Sequence, residues 1–316
     1  MNDLKDTSQE PEQNSFPASD QSLPQVAQLS NEPADLFQAW LQPEIVPPKR
    51  IPHLGHLGLL AAFATLGLVC VEVLMLVALH KHLFGVSTME AATTDIHYIL
   101  GSEAVIYLVA LFLSLILFPL FWNKSFFAGI QWRGATALRL FWPLVATALG
   151  CFALATLDEF LLPGPSNAPI EDMFRSPGAA WLMFGFGVTV APFFEEIAFR
   201  GFLLPSLCTA FDWAVEQNTG KHPRPLDANG HPQWSIPAMV TASIATSLPF
   251  ALVHADQQGH ALGPFVLLFA VSLILCAVRL ITRSLAASTL VHACYNFTIF
   301  FLMLVGTGGF RHLDKM

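Results

Sequence analysis

Charge is scarce in this chain. Asp, Glu, Lys and Arg make up 12% of its 316 residues, about half of what a soluble domain carries. That shortage excludes an ordinary water-soluble globular fold. There is no basic stripe and no interleaving of basic with aromatic residues, which removes nucleic acid from the expected partners. The apolar segments do not alternate with polar residues in the manner of barrel strands, so a transmembrane β-barrel is excluded as well. The five cysteines, Cys70, Cys151, Cys208, Cys276 and Cys294, stand singly in apolar stretches without CxxC spacing, and read as small buried hydrophobes. No basic-then-apolar leader opens the chain, so the N-terminal tail is expected to be retained. Neither a His-Glu-x-x-His zinc motif nor a Gly-x-Ser-x-Gly elbow occurs.

What is present is hydrocarbon. The chain is 54% hydrophobic with a mean hydropathy of +0.54, and apolar runs of roughly 20 residues recur along it. The expected fold is all-α: a polytopic transmembrane helical bundle of about seven to eight spans behind a disordered tail. Seven Pro, seven Gln and many Ser, Asp and Glu, without apolar periodicity, assign residues 1–50 to a disordered cytoplasmic tail. Residues 51–175 read as N-terminal transmembrane helices and 176–310 as the functional core. The expected spans are Leu57–Leu79, Tyr98–Phe121, Leu138–Leu157, Ala179–Pro192, Pro237–His254, Leu262–Leu280 and Leu285–Val305, with a further apolar stretch, Phe193–Phe211, directly after the fourth. Ala179–Phe211 is too long for one straight crossing of a core about 30 Å thick. Pro192, which lacks an N–H and crowds the preceding turn, marks a kink or break there. The region is one bent helix or two.

Lys and Arg placement sets the orientation. With the N-terminus inside, the inner loops hold Lys49, Arg50, Lys124, Arg133, Arg139, Lys221, Arg224, Arg279 and Arg283, against Lys81, Arg175, Arg311 and Lys315 outside. The N-terminus is therefore expected in the cytoplasm and the polar segment Asp212–Trp234 on the same side. The location is a membrane, crossed many times, and the plasma membrane if the source is bacterial.

Several polar groups sit where a bilayer would exclude them. Glu195 and Glu196 lie side by side in Ala191-Pro-Phe-Phe-Glu-Glu-Ile-Ala-Phe-Arg200, and intramembrane ionisable residues cost several kcal/mol on most scales and usually serve a function. On a helix, Glu196 and Arg200 are four apart and able to pair. Glu195 is turned by about 100° from its neighbour and faces elsewhere. One carboxylate is thereby fixed by the arginine while the other is free to accept and return a proton. Gly201 would let a neighbouring helix approach closely. Phe250-Ala-Leu-Val-His254 ends a later span, and His292-Ala-Cys-Tyr-Asn296 places two polar residues on one face of the last. The same groups also have purely structural uses: a Glu–Arg pair that locks packing, an interfacial histidine, an interhelical hydrogen bond. As chemistry, the set suits amide hydrolysis in two ways. Glu195 could activate a water while histidine and asparagine donors stabilise the oxyanion. Alternatively, Glu195, His254 and His292 could hold Zn²⁺, whose bound water is acidified toward neutrality.

Taken in order on successive helices, Glu-Glu-x-x-x-Arg, Phe-x-x-x-His and His-x-x-x-Asn resemble the CPBP intramembrane proteases. That family contains the CAAX prenyl endopeptidases of the Rce1 type and the bacterial Abi or bacteriocin-processing proteins. The resemblance covers roughly Ala179 to Val305 and implies an intramembrane endopeptidase, possible metalloprotease chemistry included, acting on a protein or peptide, lipidated ones among them. It implies Glu195, His254, His292 and Asn296 as catalytic residues, with Glu196, Arg200 and Phe250 in support; the metal stays open. Two other classes accommodate the residues: a proton-coupled transporter, which calls for inverted repeats and paired broken helices, and a catalytically silent immunity or scaffold protein. For the hydrolase, His254 and His292 must both reach Glu195. The His254 helix must then start deeper, or end in a non-helical segment over Ala255–Gly263.

Overall fold

The computed structural model describes residues 50–165, 169–174, 176–221, 223–227 and 231–313. The expected disordered tail, apart from Arg50, lies outside the described residues. Among those, the chain is helical without a strand, and an isolated bridge joins Leu226 to Pro232. Seven helices are long and apolar enough to cross a membrane: α1 (Leu54–His80), α2 (Ile96–Trp122), α3 (Phe141–Leu161), α4 (Pro177–Thr219), α5 (Ile236–Val253), α6 (Leu262–Thr282) and α7 (Leu285–Gly306). The expected boundaries agree with these to within a few residues, except at the fourth.

Capping residues explain where the helices start. Ser176, Ser235 and Ser284 each accept a backbone N–H three residues on, from Ala179, Ala238 and Ala287, and Asp95 accepts from His97 and Tyr98. Pro follows the cap of α4 and α5 in the first turn, where its missing N–H costs nothing. Helices α2, α4 and α6 stop at residues in the left-handed region, Asn123, Gly220 and Arg283.

Two cores position the site. Helices α1 and α2, the turn after α2 and the middle of α4 close around Phe63, Phe118, Trp122, Phe126, Ile130, Ile197 and Phe202. Helices α3, α6 and α7 close around Leu144, Ala148, Cys151, Val271, Leu275, Ala287 and Val291. The outward surface stays apolar: Phe160, Leu120 and Phe112 are each more than 60% exposed, which hydrocarbon tolerates and water does not. The molecule is a multi-pass membrane protein.

The fourth region is one continuous helix of 43 residues, about 65 Å long at the helical rise. Of the alternatives expected there, one helix or two, the chain forms one, which does not part at Pro192. The turn before it, Phe186–Val190, widens to i→i+5 hydrogen bonding, with Ala191 N–H bonded to Phe186 O, and a second wide turn runs through Ile197–Leu203. A widened turn is one of the ways a helix takes up a proline or a bend without parting.

Candidate active site

The glutamates occupy the short α-helical stretch Ala191–Glu196 between those two wide turns. Each wide turn precedes a proline, and each proline orphans a carbonyl. In i→i+5 register Gly187 O would accept from residue 192 and Arg200 O from residue 205. Both are proline, and neither has a hydrogen to give. A side chain from another helix supplies each missing donor. Asn296 Nδ2 of α7 donates to Gly187 O at 2.8 Å, and Arg279 Nε of α6 donates to Arg200 O at 3.2 Å. Backbone groups at membrane depth must be satisfied inside the protein, so the glutamate segment is pinned at both ends. Close approach makes this possible. A Cβ on Gly187 would lie 2.9 Å from the Phe300 ring, and one on Gly201 3.2 Å from Leu285, both of α7.

Glu196 and Arg200 are fully buried and pair at 2.9 Å between Arg200 Nη1 and Glu196 Oε1. Arg200 Nη2 continues to Ser272 Oγ at 2.6 Å and Ser272 O at 3.2 Å on α6, and the guanidinium carbon lies 4.5 Å from the centre of the Phe250 ring. His292 Nδ1 approaches the same Glu196 oxygen at 3.2 Å. Deleting one partner of such a buried pair typically costs about 3–5 kcal/mol.

Glu195 faces away from that pair, as its rotation on the helix predicts. Its Oε2 lies 3.9 Å from His254 Nε2 and 3.8 Å from His292 Nε2. The far nitrogen of each ring is committed. His254 Nδ1 lies 2.7 Å from Phe250 O, a carbonyl left over in the last turn of α5 that can only accept. His292 Nδ1 faces the Glu196 carboxylate. Both rings therefore carry a proton on Nδ1 and turn Nε2 toward Glu195. The reach of His254 follows from the second of the two expected routes. Helix α5 stops at Val253 and the chain turns through residues 254–260, with Gln257 O tied to Ile170 N–H at 3.0 Å.

The structure thus brings Glu195, His254 and His292 to one place. It puts Glu196, Arg200 and Phe250 behind them, where Phe250 contacts both imidazole rings, at 4.9 Å and 5.9 Å between centroids. Asn296 spends one amide hydrogen on Gly187. Among the described residues, no group of three or more His, Cys, Asp or Glu side chains has the spacing to hold a metal ion.

Three residues near the site went unread in the sequence. Arg279, counted with the inner loops, lies instead in the last turn of α6 with its side chain 2% exposed. Glu103 and Tyr107, one turn apart on α2, lie within electrostatic reach of Glu195, and the Tyr107 ring stacks on Phe194 at 4.6 Å. A lone carboxylate inside the apolar run Ile96–Trp122 carries the same signal that singled out Glu195.

No curated protein and no solved structure matches the chain. A family model described as type II CAAX prenyl endopeptidase Rce1-like matches residues 177–298, a range that includes all three motifs. Over that range the chain is similar to the Rce1-like group of CPBP intramembrane proteases, whose general activity is CAAX-protease-like endopeptidase.

Proposed function

We propose that the protein hydrolyses a peptide bond within the membrane with a water activated by Glu195. The observation that carries this reading is the convergence of His254 Nε2 and His292 Nε2 on one carboxylate oxygen at 3.9 Å and 3.8 Å. These separations are too long for direct hydrogen bonds and suit one bridging water. With Nδ1 of each ring occupied, neutral imidazoles and the carboxylate offer that water only acceptors, which draws its hydrogens toward Glu195 and away from the attacking oxygen.

In the proposed sequence, Glu195 takes one proton as the water oxygen bonds to the substrate carbonyl carbon. The carbonyl becomes an oxyanion, stabilised by the second amide hydrogen of Asn296, while a neutral imidazole Nε2 accepts the hydrogen that stays on the attacking oxygen. Glu195 then returns its proton to the leaving nitrogen as the C–N bond breaks, giving a carboxylic acid and an amine. Glu196 and Arg200 hold the His292 ring at the required angle, and Phe250 walls the site.

The metalloprotease variant would use the same three donor atoms around Zn²⁺. Their nitrogen–oxygen separations are about half an ångström wider than the edge of a tetrahedron with bonds of roughly 2.0–2.1 Å, so no step is assigned to a metal. Substrates in this reading are membrane-associated proteins or peptides, lipidated ones included. The charge distribution of the loops supports a cytoplasmic N-terminus, in the plasma membrane if the source is bacterial.

The test compares membranes containing the native chain with membranes containing Glu195→Gln, by mass spectrometry of new peptide termini. Cleavage products should be present with the native chain and absent with the variant, at unchanged thermal stability. Equal products in both would refute the role given to Glu195.

A further inference from the structure

A cavity of about 780 Å³ lies between the N-terminal half of α5 and the C-terminal half of α6. It is separate from the Glu195 site, none of whose carboxylate or imidazole groups lines it. Its long walls are apolar, formed by Ile236, Val240, Ile244, Leu273 and Ile281. Ile281 and Ile236 are 82% and 72% exposed, so the groove opens sideways to the surroundings of the bundle, which at these spans is lipid.

One end of the groove is charged, with Arg279, Arg283 and Asp227 among the lining residues. Arg279 is bonded to two backbone carbonyls, Arg200 O and Ile130 O, which leave its charge unneutralised, and its Nη1 has no hydrogen-bond partner among the described residues. Arg283 and Arg133 both approach the same Asp227 carboxylate, at 3.7 Å and 3.9 Å. Two guanidinium groups thus share one carboxylate, and Arg279 adds a third positive charge to the lining. A long apolar slot ending in excess positive charge at the level where α5 begins and α6 ends is complementary to a molecule with an apolar tail and an anionic head.

We infer that this groove binds an anionic phospholipid, with the phosphate at Arg283 and Arg279 and an acyl chain along Val240, Ile244 and Leu273. Basic clefts between transmembrane helices hold acidic headgroups for this reason, and each cation near the surface contributes a preference of about fivefold. The inference is independent of what Glu195 does.

The test uses the purified full chain in a neutral detergent. Thermal unfolding is followed with dioleoylphosphatidylglycerol, with dioleoylphosphatidylcholine, and with inorganic phosphate alone. Phosphatidylglycerol should raise the unfolding temperature at concentrations at least about fivefold below those phosphatidylcholine requires, and phosphate alone should have no effect. Arg283→Asn, which retains a residue suited to the left-handed backbone there, should reduce the preference about fivefold. Val240→Trp, which fills the slot at an exposed position, should remove the phosphatidylglycerol effect from a protein that still folds. Chain-brominated phosphatidylglycerol should quench native fluorescence more than it quenches Trp234→Phe, since Trp234 lines the groove. Equal potency of the two lipids, an equal shift from phosphate alone, or a full phosphatidylglycerol effect in Val240→Trp would each overturn the inference. So would protection by a soluble acidic peptide in place of the lipid.

Discussion

If Asn296 serves the carbonyl that Pro192 orphans, then giving that carbonyl a backbone donor should make Asn296 dispensable for stability. The perturbation is Asn296→Ala, alone and in a Pro192→Ala background. In the native chain the substitution removes a 2.8 Å hydrogen bond to Gly187 O and leaves a part-buried carbonyl unsatisfied. Such a loss costs about 1–3 kcal/mol in proteins generally, while interhelical hydrogen bonds in membranes average about 0.6 kcal/mol. We therefore expect a penalty of about 1 kcal/mol. In the Pro192→Ala background the backbone N–H at position 192 meets Gly187 O in the wide register. Should the turn relax to an ordinary α turn, Ala191 supplies the donor instead. Either way the penalty should fall below about 0.5 kcal/mol, a coupling larger than the scatter of independent sites. The assay is reversible unfolding in mixed micelles, run as a four-member double-mutant cycle. Equal penalties in both backgrounds would refute the assignment of the carbonyl. The cycle also separates two roles for Asn296: if its second amide hydrogen stabilises the oxyanion, the double variant regains stability and stays impaired in cleavage.

Pro205→Ala should likewise soften Arg279→Met in the same unfolding assay, because Arg279 fills the equivalent gap at Arg200 O. Arg200→Met should destabilise by about 3–5 kcal/mol through the unpaired Glu196 left behind, and Arg200→Met with Glu196→Leu should recover much of that loss. His231, 6% exposed in the polar segment between α4 and α5, titrates at about 4, chiefly because burial disfavours its charged form. Its depressed value means that the unfolded chain takes up the proton first as pH falls below the ordinary histidine range. Stability should therefore decline between about pH 6.5 and 4, and His231→Gln should flatten that part of the profile.

Much of this architecture is visible in the residues. Long apolar runs place the spans, because hydrocarbon thickness leaves little freedom in where a crossing begins. The pairing of Glu196 with Arg200, and the turning away of Glu195, follow from helical spacing alone. Tertiary packing supplies what spacing does not. The fourth region stays continuous at Pro192 because the preceding turn widens, and that widening depends on Asn296, more than a hundred residues away, to satisfy Gly187. The repeated five-residue step, Gly187 to Pro192 and Arg200 to Pro205, was nevertheless present to be read. At the end of an apolar run Arg279 reads as an interfacial charge, yet its side chain is buried. Only the carbonyls of Arg200 and Ile130 show why it turns inward.

The central claim is that Glu195, His254 and His292 act on one shared water beneath the membrane surface. An experimental structure of the full chain in lipid nanodiscs, at a resolution that shows ordered solvent, tests it most directly. The account predicts solvent density within about 3 Å of Glu195 Oε2 and of both imidazole Nε2 atoms, with each Nδ1 bonded as described. A Glu195 side chain turned to the acyl chains, or imidazoles withdrawn from it with no shared solvent between them, would contradict the account.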